Sequence, residues 1–164
     1  MTSRPPTLRD KRRYVLVRTD PAGTALDQKE LYYSVHEGVS SLWGDAAAAL
    51  IHMAVVAAEG EYVVVRCRRG MERELAIALT TVTSCGGQRI SLRTIAASGT
   101  IESLRERIAL LQAAESRIDL PDECTIDGGR YIICRCSGQK VDVIEKGFKN
   151  TTRFFLTRED LEDI

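Results

Sequence analysis

Apolar and polar residues alternate most clearly over residues 61–70. There Val63, Val65 and Cys67 share one face of a strand, while Val64, Arg66 and Arg68 share the other. Gly70 breaks the run, and Met71, Leu75, Ala78, Leu79 and Val82 recur at helical spacing, which predicts a helix folded back over the Val63/Val65 face. Upstream, residues 13–20 predict a first strand with Val15 and Val17 on one face and Tyr14, Leu16 and Arg18 on the other. Pro21-Ala22-Gly23 ends that strand. Asp27 followed by Glu30 has capping-box spacing and starts an amphipathic helix whose buried stripe is Leu31, Val35, Val39 and Leu42. Gly44 closes it.

Four alanines from Ala46 favour helix, but Ile51, Met53, Val55 and Val56 suit a strand. The Glu59-Gly60 turn favours a strand from about Ala49, paired as a hairpin with residues 62–68. After Gly86-Gly87, residues 88–97 predict a further strand with Ile90 and Leu92 inward and Ser91 and Arg93 outward. Ser98 and Thr100 supply capping hydroxyls to a third helix carrying Ile101, Leu104, Ile108 and Leu111. This order is the split βαβ of a ferredoxin-like, RRM-like α+β sandwich: a four-stranded antiparallel sheet with helices, its first and third strands central. Beyond about Arg117 the spacing shortens to strand candidates at 124–126, 131–136, 141–144 and 153–156. The expected organisation is a basic flexible arm (1–12), a core domain (13–117) and a C-terminal extension (118–164) that ends acidic.

The 164 residues carry 23 basic and 23 acidic side chains, so net charge excludes nothing until its distribution is considered. Arg4, Arg9, Lys11, Arg12, Arg13 and Arg18 face only Asp10 in the first 18 residues. No apolar run has the length of a membrane span and no signal-like segment follows Met1, which predicts a cytoplasmic protein. Five cysteines without a CxxC pair argue for reduced thiols. Cys124, Cys134 and Cys136 fall short of a zinc set, because His36 and His52 lie in other elements. Cys134 and Cys136 share a strand face with Ile132, and burial explains them better. No nucleophile triad or glycine-rich phosphate loop is present, and Asp20, Asp27 and Asp45 sit where turns and caps account for them.

The chemistry left is cationic. Arg18, Arg66, Arg68 and Arg93 fall on the face away from the first two helices, with Lys11, Arg12, Arg13 and Arg69 adjacent, a candidate phosphate-binding surface. The competing explanation is a solvated face, or one paired with the acidic end. The third strand lacks the paired aromatics that stack bases on RRM sheets, so contact with a structured RNA backbone fits better than single-strand readout. Leu42 and Trp43 are candidates for a protein interface, although Trp43 could instead plug one end of the sandwich.

Arg13-Tyr-Val-Leu-Val17, Leu42-Trp-Gly-Asp45, Val64-Val-Arg-Cys-Arg-Arg-Gly70 and Ser98-Gly-Thr-Ile101, in this order over residues 13–111, resemble the archaeal ribonuclease P protein component 2 family. The resemblance implies an RRM-like subunit that works with a catalytic RNA to remove the 5′ leader from precursor tRNA. It also implies a larger TIM-barrel-like partner subunit, and chemistry performed by magnesium on the RNA with no cofactor on the protein. The region after Arg117 departs from shorter members, though Lys146-Gly-Phe-Lys149 and Phe155-Leu-Thr157 resemble a family tail. Two other classes stay open: a ferredoxin-like regulatory domain that binds a metabolite at a dimer interface, and a protein-interaction scaffold.

Overall fold

The computed structural model describes residues 11–20, 24, 26–115, 123–137, 139–147 and 153–162. Residues 1–10 of the basic arm, the Pro21-Ala22-Gly23 turn, Phe148-Lys149 and the last two residues lie outside them. The chain divides into two compact units, Met1–Glu106 and Arg107–Ile164.

The first unit runs β1 (Arg12–Asp20), α1 (Gln28–Ile51), β2 (Ala54–Glu59), β3 (Tyr62–Arg68), α2 (Glu72–Thr80), a two-residue hairpin of β4 (Ser84–Cys85) and β5 (Gln88–Arg89), and β6 (Ser91–Ser98). α3 (Ile101–Glu115) starts in it. The sheet order is β2-β3-β1-β6, all antiparallel, so the two central strands are those expected from the sequence and the sandwich is ferredoxin-like. Its core is built by Val15, Val17, Val63, Val65 and Cys67 from the sheet against Leu31, Val35 and Val39 of α1 and Leu75, Ala78 and Leu79 of α2. The helices approach closely at Gly38, where a Cβ would lie 3.1 Å from Thr81 Oγ1 and 3.2 Å from the Ala78 carbonyl oxygen.

Three expectations change. Asp27 caps α1, its Oδ1 accepting from the Lys29 and Glu30 amides at 2.9 and 3.0 Å, but the helix does not end at Gly44. Gly44 leaves helical geometry (φ 76°, ψ 167°) and a second helical run continues to Ile51. The expected strand at 49–53 is therefore helix: the alanine run's propensity wins, and His52 in the left-handed region ends it, its N–H donating to the Ala48 carbonyl at 3.1 Å. β2 starts only at Ala54. Second, the buried stripe of α1 stops at Val39, because Leu42 is 43% exposed. Third, the sheet face away from α1 and α2 is not open throughout, since Leu16, Tyr62 and Val64 on it are buried as deeply as the core valines. Leu104 and Ile108 of α3 are buried as well, and Leu111 is half-buried.

The second unit contains β7 (Glu123–Ile126), β8 (Gly129–Ser137), β9 (Lys140–Glu145), β10 (Arg153–Thr157) and α4 (Arg158–Glu162). The strands form an antiparallel meander, β10-β9-β8-β7, around a small core of Tyr131, Cys136, Val141 and Val143. The register shifts between Ile133 and Arg135, and this bulge breaks the alternation that would have put Ile132, Cys134 and Cys136 on one face. Cys136 is buried, Cys134 half-buried and Ile132 40% exposed. Arg135 is buried on the meander with its guanidinium 3.8 Å from Asp142. Among the described residues no helix is long and apolar enough to cross a membrane.

Candidate nucleic-acid interface

Strand alternation and register distribute the basic residues. On the face away from α1 and α2, β1 presents Arg12, Tyr14, Leu16 and Arg18 in turn. Arg12 lies opposite Arg68, Tyr14 opposite Arg66, and Leu16 opposite Val64 on β3, while Arg18 lies opposite Arg93 on β6. The face thus has an apolar, closed middle at Leu16 and Val64, buried Tyr62 beside Arg18, and a cationic cluster at each end. Arg12, Arg68, Arg69 and Arg93 are exposed, and Arg18 and Arg66 half-buried. Among the described residues, Arg12, Arg18, Arg66, Arg69 and Arg93 form no ion pair. Asp20, one step beyond Arg18 on the same face, sets one negative charge against the two arginines at that end.

Directly opposed like charges on neighbouring strands oppose sheet stability, by roughly 0.2–1 kcal/mol per pair. The Arg18/Arg93 pair, neither member of which forms an ion pair among the described residues, therefore costs the free protein something that an anion bound from outside would offset. The end that carries Lys11, Arg12, Arg66, Arg68 and Arg69 is also held in shape. The Arg69 amide donates to the Lys11 carbonyl at 2.8 Å, the Met71 amide to the Arg68 carbonyl at 3.1 Å, and the Gly70 amide to Glu72 Oε2 at 2.7 Å.

Arg13 stands apart from the set expected to bind RNA. It lies opposite Cys67, so its side chain belongs to the helix side, and its Nε is 2.8 Å from Glu72 Oε1. Glu72 thus holds both Arg13 and the Gly70 amide. It is the contributor that sequence reasoning misses: alternation alone places Arg13 with Val15 and Val17, but no local signal names a partner sixty residues away.

Trp43 is 40% exposed beside Leu42, and its indole Nε1 donates to the Glu74 carbonyl at 3.3 Å, which ties the end of the first helical run of α1 to α2. Ile77, one turn beyond Glu74, is exposed too, so Leu42, Trp43 and Ile77 give the helical side an apolar surface component. Burial, with Glu72 adding to it, pushes Cys67 up to about 11, and burial also raises Cys85, Cys124 and Cys136 above the ordinary thiol value. Among the described residues no three His, Cys, Asp or Glu side chains are grouped to hold a metal ion.

The Rpp14/Pop5 family model matches residues 13–109, the stretch that carries the sheet and its arginines. Ribonuclease P protein component 2 of Methanoculleus marisnigri is 47% identical over 99% of this chain and 99% of its own length. The Archaeoglobus fulgidus protein of the same name is 34% identical over 65% of this chain and 96% of its own. In three dimensions the chain is similar to one in the cryo-EM structure of yeast ribonuclease MRP, with TM-score 0.46 and 9% identity over 64% of this chain and 94% of that one.

Proposed function

The chain belongs to the Rpp14/Pop5 family, and from that membership we propose that it is a protein subunit of ribonuclease P that helps the catalytic RNA remove the 5′ leader from precursor tRNA. The observation that carries the reading is the end-to-end similarity to a protein named ribonuclease P protein component 2. The arginine-edged sheet gives it a physical basis: Lys11, Arg12, Arg66, Arg68 and Arg69 at one end and Arg18 and Arg93 at the other neutralise RNA phosphates. Arg13 supports this surface from the helix side through Glu72. The closed, aromatic-poor centre of the sheet favours backbone contacts over base stacking.

In this reading the cleavage chemistry lies with magnesium ions on the RNA, the protein supplies no catalytic residue and binds no cofactor, and assembly takes place in the cytoplasm. Leu42 and Trp43, an exposed leucine beside a partly exposed, oriented tryptophan, form the contact for a TIM-barrel-like protein subunit. Reconstitution tests the proposal. Precursor tRNA, magnesium, the cognate RNA and the partner proteins should give leader removal that falls when this chain is omitted and returns when it is added back. The chain freed of RNA should leave the precursor intact. Leader removal by the RNA-free chain, or an add-back without effect, would contradict the assignment.

A further inference from the structure

We propose that the first sheet grips RNA at two separate backbone points about 20 Å apart, one at each end of β1, and leaves the sheet centre out of contact. The inference rests on the reading of the chain as an RNA-binding subunit and specifies how it binds. Arg12 and Arg18 are six residues apart on one face of β1, which at about 3.3 Å per residue sets the spacing. Each lies directly opposite a second arginine, Arg68 on β3 and Arg93 on β6. Two guanidinium forks on adjacent strands suit two neighbouring phosphates, one each.

Between the two pairs the opposed Leu16 and Val64 are 0 and 2% exposed, so no base or phosphate can reach the sheet there. Two contacts at a fixed separation select a ligand that already holds its phosphates that far apart. A double-helical segment does so, because base pairing holds its backbone phosphates at fixed spacings along the helix. A flexible single strand would have to be ordered first, at an entropic cost. The occupant that fits is the backbone of helical RNA.

The test uses the full chain and ribonuclease P RNA with three variants, R12A/R68A, R18A/R93A and the fourfold combination. Binding measured against salt should lose about 1.5 from its log–log slope in each double variant and about 3 in the fourfold one. Hydroxyl-radical footprints should uncover a different RNA segment for each pair. Arg→Lys versions of the same variants keep the charges and should keep the wild-type slope. Thermal melting should change little in the Ala series, within about 0.5 kcal/mol per site, since the side chains removed are at the surface. Either double variant losing as much slope as the fourfold one, or both uncovering the same segment, would replace two points with one continuous site. A wild-type slope in the fourfold variant would overturn RNA binding by this sheet altogether, a distinct outcome. A slope lost equally in the Lys series would overturn the phosphate contacts.

Discussion

Val15 pairs with Val65 on one side and Ala97 on the other, whereas in the second unit Ile133 pairs with Val143 inside a single hairpin. The first sheet is thus assembled from distant segments, and both faces of its central strands are buried, Val15, Leu16 and Val17 in succession. The second is a meander whose core, among the described residues, holds four buried side chains, Tyr131, Cys136, Val141 and Val143. Close packing on both faces fixes these strands, so they can space charged groups at fixed positions. A local meander can form by itself but buries less apolar surface per residue.

Core truncations should break this contrast most visibly. Leu79→Ala removes a fully buried side chain from the first core and should cost about 2–5 kcal/mol. Val143→Ala in the meander should cost less and act locally. Hydrogen exchange resolved by segment should show Leu79→Ala loosening β1 and β3, and Val143→Ala loosening β8 and β9 alone. Equal loss of protection in β1 and β3 from both would mean that the units unfold as one.

Cys67 should give the next effect. Its folded-state value of about 11 lies above that of an unfolded thiol, so the fold favours the neutral form. The stability this provides is complete below about pH 8.5 and is lost as pH rises from there to about 11. Urea melts at pH 8 and pH 10.5 should differ by on the order of 2 kcal/mol more in the wild type than in Cys67→Ala. The same pH dependence in both proteins would reject the assignment to Cys67. A smaller change, about 1 kcal/mol, is expected from Asp27→Ala, which strips α1 of its cap. It should lower the first unit's thermal transition and leave the meander's protection unchanged.

The sequence made the strand alternation, the Asp27 cap, the Glu59-Gly60 hairpin and the sheet order legible, because each is written in local periodicity or turn chemistry. The closed far face was also legible in principle. Three consecutive apolar residues in Val15-Leu16-Val17, and Tyr62 to Val65, are the signature of strands buried on both sides, and the nearby arginines drew attention from it. The alanine run misled because helix propensity and an apolar strand pattern coincide there. The β8 bulge has no glycine or other local mark, and Glu72 finds Arg13 only after folding. The individual arginines were readable as types and faces, but their opposition in pairs needed the register.

The central claim is that the arginines of the far sheet face serve RNA rather than the fold. Arg66, Arg68 and Arg93 replaced together by Ala, with thermal melting and RNA-binding salt dependence measured on the same preparation, test it most directly. The account predicts a stability change within about 0.5 kcal/mol per site and a salt slope lowered by roughly two. An unchanged slope together with a large fall in melting temperature would contradict it and make the arginine face structural.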